Sequence, residues 1–200
     1  MSQNKTSTYK IVLGGMFIAL FFLASNVLPP VYIVPSVPVT LQILVVALMG
    51  GMLGLRGGLL SLAGLFTATL AGLPMMSGFG AGPAVFARPT AGFIFGWVFV
   101  VALSGLMSDM LRQKWPSGTE HRTARSVLLA SAMFVGVLLD YLCGAVWLAV
   151  YNGVGLGAVT SLFAANLLFL PFDAVKCIMA SSLCTLFAAM PLRGAAHGKI

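Results

Sequence analysis

Asp173 and Lys176 are the residues of this chain with the most scope for chemistry. They stand three positions apart in an otherwise apolar stretch, so on a helix they share one face. A carboxylate and an ammonium on one turn can hold a small molecule that carries both donor and acceptor groups. Pro171, just before them, removes a backbone hydrogen bond, bends the helix and leaves a carbonyl free to accept. The alternative is a structural ion pair, within the helix or across to Asp140, which lies mid-way along another apolar stretch. Buried pairs seldom improve on apolar packing once desolvation is counted, which favours a ligand role. Asp109, at a helix end, and Glu120, in a loop, are expected to be solvated. Asn26, Gln42, Asn152 and Asn166 fall near helix ends and suit either the same cavity or interhelical hydrogen bonds. A proton relay through Asp140, Asp173 and Lys176, as in a secondary carrier, is a further alternative.

Nothing in the sequence powers or catalyses a reaction. There is no G-x-x-x-x-G-K-[ST] phosphate loop, no H-E-x-x-H and no G-x-S-x-G. An enzyme is therefore not expected, and any ATP hydrolysis must come from another chain. Cys143, Cys177 and Cys184 sit in apolar stretches without a C-x-x-C pair and read as small apolar fillers. His121 and His197 have no second ligand at metal spacing, so neither a metal nor a cofactor is expected.

The elements that must position these residues follow from composition. Hydrophobic residues make up 60% of the chain and charged residues 8%, with a mean hydropathy of +1.03. Soluble domains are about a quarter charged, so the main solvent of this chain is lipid. The net charge of +7 is spread without a dense basic run, which argues against nucleic acid. Six apolar helices are expected, at about residues 11–28, 39–55, 58–73, 92–111, 127–151 and 162–190, in a single membrane domain over 1–200. The first, although preceded by Lys5 and Lys10, lacks an A-x-A cleavage site and reads as a retained helix. The second and third are separated only by Arg56-Gly57, and a single broken span there would invert everything that follows.

Charge decides between the two. Six spans with both termini cytoplasmic put Lys5, Lys10, Arg56, Arg112, Lys114, Arg122, Arg125, Arg193 and Lys199 inside, against Arg88 alone outside. The segments 29–40, 74–91 and 152–161 are then extracytoplasmic, and the ligand pocket with them. The second is rich in glycine and proline, including Gly78 and Gly80, and too long for a mere connector. Glycine lets backbone approach a ligand closely. Met75, Met76, Phe79, Val85 and Phe86 should fold it back over the bundle as a lid.

Six segments, in order, carry a family likeness: Val37-Pro-Val-Thr-Leu-Gln42, Leu53-Gly-Leu-Arg-Gly-Gly58, Gly72-Leu-Pro-Met-Met-Ser-Gly78, Arg88-Pro-Thr-Ala-Gly-Phe93, Asp140-Tyr-Leu-Cys-Gly-Ala-Val-Trp147 and Pro171-Phe-Asp-Ala-Val-Lys176. With these the chain resembles the BioY family, the biotin-binding S components of energy-coupling-factor vitamin transporters, over about residues 9–192. The resemblance implies a six-helix bundle in a bacterial cell membrane. It implies that Asp173 and Lys176 help to hold biotin, with Gly78, Gly80, Phe93 and Gln42 around the pocket. It also implies that Gly15 and Ala19 on the first helix meet a transmembrane coupling subunit driven by ATP-binding-cassette ATPases. Biotin's carboxylate needs a cation, and Arg88 and Lys176 are both candidates. The family's usual G-P-T-G-G-Y reads Arg88-Pro-Thr-Ala-Gly-Phe93 here, so a phenol is unavailable at Phe93. An S component for another vitamin stays open.

Overall fold

The computed structural model describes residues 2–27, 31–34, 37–115 and 121–189. Pro29, Pro30, Glu120, Met190, Arg193, His197 and Lys199 lie outside the described residues. The chain forms a helical bundle: α1 (Ser2–Asn26), α2 (Gln42–Leu70), α3 (Ala91–Lys114), α4 (Arg122–Tyr151), α5 (Val159–Asn166) and α6 (Leu170–Ala189). Among the described residues four helical stretches are long and apolar enough to cross a membrane, with Ile11–Asn26 a shorter apolar one. Between α1 and α2 the chain makes two short antiparallel strands, β1 (Val31–Val34) and β2 (Val37–Val39), paired Val31 to Val39 and Val34 to Val37.

The second and third expected helices both fall within α2, and the break comes at Gly54 rather than at Arg56-Gly57. Gly54 has φ 75° and ψ 179°, a region essentially reserved for glycine. The chain turns back on itself there. A Cβ added at Gly58 would lie 3.0 Å from the Gly50 Cα. In an unbroken helix residues eight apart are separated by about 12 Å along the axis.

Such a reversal orphans carbonyls on one side and N–H groups on the other. Three residues of α3 satisfy them. Asp109 accepts the Leu55 N–H at 2.9 Å, Ser108 donates to the Gly51 carbonyl at 2.6 Å, and Arg112 donates to the Met52 carbonyl at 2.5 Å. Asp109 is thus a capping group for the turn as well as the partly solvated carboxylate expected from its place at a helix end. Asp109 and Arg112, 4.0 Å apart and both partly exposed, cap the two sides of the turn together.

Small residues bring α2, α3 and α4 into close contact, as membrane bundles require when lipid competes for apolar surface. A Cβ at Gly105 would come within 2.7 Å of Leu55 backbone, and one at Gly136 within 2.8 Å of the Val100 Cα. Phe21, Met49, Leu53, Leu62, Leu65, Val100, Val101, Met133 and Val137 fill the interior between these contacts. Hydroxyls inside helices return to their own backbone, Ser104 to the Val100 carbonyl at 2.7 Å and Thr69 to the Leu65 carbonyl at 2.9 Å.

The sixth expected helix, 162–190, is interrupted. After α5 a 3-10 turn (Leu167–Phe169) leads into α6, with Pro171 in its first turn. Proline is tolerated there because that N–H has no intrahelical partner in any case. The bend forms where expected, but the Leu167 carbonyl is taken by the Leu170 N–H.

Candidate functional site

At the end of the bundle remote from the Gly54 turn lies a partly open cavity of about 190 Å³. Helix α6 supplies Asp173 and Lys176, and the 3-10 turn before it Phe169. Helix α4 supplies Asp140 and Tyr141, α3 Phe93, Ile94 and Trp97, α5 Asn166, and the start of α2 Gln42 and Ile43. Met76, Ser77, Val85, Arg88 and Thr90 come from the connection between α2 and α3.

Asp173 and Lys176 do share a face, and both are buried. The Lys176 Nζ lies 2.6 Å from Asp173 Oδ1. The other oxygen of Asp173 accepts a hydrogen bond of 2.5 Å from the Tyr141 hydroxyl. Asp173 stands in the first turn of α6. The pair is therefore neutral overall and fixed in orientation. A carboxylate has about four lone-pair positions, so Asp173 retains acceptor capacity toward N–H groups in the cavity. The ion pair therefore does not use up the acceptor capacity of Asp173.

Tyr141 carried no role in the sequence reading, although it stands beside Asp140 in an apolar stretch. A buried phenol needs a hydrogen-bond partner, which was the available signal. Phe93 lacks the hydroxyl but lines the cavity, and its ring packs where a side chain at Gly144 would otherwise sit. The phenol of this site thus comes from α4 and not from α3.

The connection from 71 to 90 folds down onto the bundle. Met76 and Gly80 exchange backbone hydrogen bonds of 3.1 and 3.0 Å, and the Gly82 N–H reaches the Thr69 carbonyl at 2.8 Å. Met76 and Val85 are buried, and Met75 and Phe86 pack partly against the core. Phe79 departs from expectation: it is 60% exposed. Its N–H donates to Asn26 Oδ1 at 2.7 Å, while Asn26 Nδ2 donates to the Pro74 carbonyl at 3.1 Å. Asn26 therefore fastens the connection to α1 and does not reach the cavity. Asn152 is exposed at the end of α4, whereas Gln42 lines the cavity and donates to Ser25 Oγ at 3.0 Å.

Of the two glycines singled out, Gly78 is exposed, away from the cavity wall, and a side chain there would meet nothing. Gly80 is buried and has a different use. A Cβ on it would lie 2.9 Å from Arg88 Nη1, so glycine leaves room for that guanidinium. The Arg88 carbonyl accepts the Trp147 indole N–H at 2.9 Å, which ties the loop to α4. On α1, Gly14 packs against Ser61, while Gly15 and Ala19 are exposed.

The BioY family model matches residues 1–191. The chain belongs to the BioY family. It is 34% identical to a biotin transporter BioY of Rhizobium etli, over 88% of this chain and 91% of the relative. It is 31% identical to a biotin transporter BioY of Lactococcus lactis, over 88% and 86%. Its fold matches the crystal structure of the S-component for biotin from an ECF-type ABC transporter with a TM-score of 0.72 and 25% identity, covering 95% and 94%. The cavity of this BioY-family chain is thus assembled from five of its helices, the 3-10 turn before α6, Thr40 just before α2 and the connection between α2 and α3.

Proposed function

We propose that this chain is a biotin-capturing S component: a membrane subunit that binds the vitamin and relies on a separate transmembrane coupling subunit and ATP-binding-cassette ATPases for energy. It is a transport protein, not an enzyme. The observation that carries the ligand assignment is the cavity itself, with apolar walls, a neutralised acid–base pair at Asp173 and Lys176, and Arg88 at its rim. Biotin's bicycle suits Trp97, Phe93 and Phe169, and its ureido N–H groups suit the Asp173 carboxylate. Thermal unfolding of the purified protein should shift upward with micromolar biotin and not with thiamine or riboflavin. A shift with either of those vitamins and none with biotin would overturn the assignment.

Arg88 is the residue for biotin's carboxylate. Lys176 is occupied by Asp173 at 2.6 Å, whereas the Arg88 side chain has no hydrogen bond or ion pair among the described residues. Arg88→Gln should weaken biotin about tenfold and leave biotinamide, which lacks the anion, unchanged. Equal losses for the two ligands, measured by isothermal calorimetry, would count Arg88 out.

In the bilayer we place six crossings, with the two arms of α2 counted separately, both termini cytoplasmic and the cavity opening outward. The distribution of charge supports this. Arg56, Arg112, Lys114, Arg122 and Arg125 belong to the end with the Gly54 turn, and Arg88 to the cavity end. The lid role of residues 71–90 rests on Met76 and Val85, which close over the cavity from that side. The cell membrane of a bacterium is the setting.

The outward face of α1, with Gly15 and Ala19, is the docking surface for the coupling subunit. Gly14 already serves packing within the bundle, and a side chain at Gly15 would meet nothing, so this face is free for a partner helix. Ala19→Trp should leave biotin affinity intact and abolish co-purification with the coupling subunit. Normal co-purification would remove α1 from the interface.

A further inference from the structure

Among the described residues three side-chain polar atoms are buried without a hydrogen-bond partner: Asp140 Oδ1, Asn166 Nδ2 and Ser77 Oγ. Buried polar groups are nearly always paired, and each orphan is costly. All three residues line the one cavity. Asp140 is 2% exposed and Asn166 4%, so neither escapes to bulk solvent. Room for the Asp140 carboxylate is made deliberately, because a Cβ at Gly96 would overlap it. In contrast to Asp173, no cation or phenol attends Asp140.

The orphaned atoms themselves are closed off, Asp140 Oδ1 against the α3 backbone at Gly96. A carboxylate or amide that turns about its side-chain bond brings an unpaired group to the cavity, and its partner is then whatever fills it. We propose that Asp140 and Asn166 are ligand-contacting residues, an acceptor and a donor that read adjacent N–H and C=O groups on the head of the bound molecule. This rests on the biotin reading, and it adds two residues from α4 and α5 to the site on α6. A cyclic urea presents two N–H donors flanking one carbonyl oxygen. Asp173, already neutralised, takes one N–H. Asp140 takes the other through Oδ2, and the Asn166 amide, turned about its side-chain bond, donates to the carbonyl. The free energy withheld from the empty protein by these orphans then appears as affinity and as discrimination between head groups.

The test uses Asp140→Asn and Asn166→Leu with two probes, biotin and 2-iminobiotin, in which an imine N–H replaces the ring carbonyl oxygen. Asn166→Leu removes a buried, unpaired amide, and Asp140→Asn replaces a buried carboxyl by a neutral amide of the same shape. Each should therefore unfold at or above the wild-type temperature while binding biotin at least about tenfold more weakly. In Asn166→Leu the wild-type preference for biotin over 2-iminobiotin should also shrink by about tenfold, because the donor that rejects the imine is gone. Biotin affinity unchanged in both variants would overturn the proposal. So would a loss of binding accompanied by a lowered unfolding temperature, which marks a structural role. Failure of the wild-type protein to bind biotin would sink the parent assignment instead, and it is read separately in the same titration.

Discussion

Lys176→Met is expected to cost both the fold and the ligand more than any other single change in the cavity. The substitution leaves the Asp173 carboxylate buried, with only the Tyr141 hydroxyl to answer it. Breaking a buried pair from one side costs about 3–5 kcal/mol, because a charge is stranded where solvent cannot reach it. Biotin affinity should fall by at least about tenfold, or 1.4 kcal/mol, since the ammonium that holds the Asp173 carboxylate in place is gone. Asp173→Asn should cause a similar loss of binding, as the Lys176 ammonium is then the stranded charge. The double variant Asp173→Leu/Lys176→Met separates the two effects. It should recover most of the stability lost in Lys176→Met, as apolar replacements of buried pairs commonly do, and recover none of the binding. Thermal unfolding and calorimetric titration on the three proteins decide the matter. Restored biotin binding in the double variant would show that the pair is architectural only.

Gly54→Ala should be the most damaging substitution away from the cavity. At φ 75° and ψ 179° an alanine pays about 1–3 kcal/mol of backbone strain. Its methyl group would also land on the Asp109 carboxylate, which caps the Leu55 N–H. Losing that partly exposed cap adds about 1 kcal/mol. The expected result is a poorly folded protein with a sharply lowered unfolding temperature in detergent. Gly15→Ala is the control: it sits mid-helix with open space beyond its Cα, so alanine should leave stability unchanged or raise it by about 0.5–1 kcal/mol. An unfolding temperature for Gly54→Ala equal to that of wild type would refute the account of the turn.

Particular residues show where reading from sequence succeeded and where it stopped. The shared face of Asp173 and Lys176 was legible because it depends only on three-residue spacing within one helix. The break between the second and third apolar segments was legible as a region but misplaced by two residues. A short Gly-rich stretch offers several glycines, and which one adopts the forbidden backbone angles depends on the capping groups waiting on α3. The capping role of Asp109 was not legible for the same reason: its partner, the Leu55 N–H, is 54 positions away. Tyr141 was passed over because nothing local announces that its hydroxyl will meet a carboxylate 32 positions later.

What the amino-acid order determined unaided is the solvent and the local repeats: a membrane-type helical chain, its apolar segments, and an acid–base pair on one helical turn. These are sums over neighbours along the chain, and hydropathy and spacing report them directly. What only the tertiary structure decided is which side chains converge: Tyr141 on Asp173, Arg88 over Gly80, and Asp140 with Asn166 on one cavity. Convergence depends on the rotation and register of each helix against the next. Those are set by close contacts such as Gly105 on Leu55 and Gly136 on Val100, between residues far apart in sequence, and no local pattern encodes them.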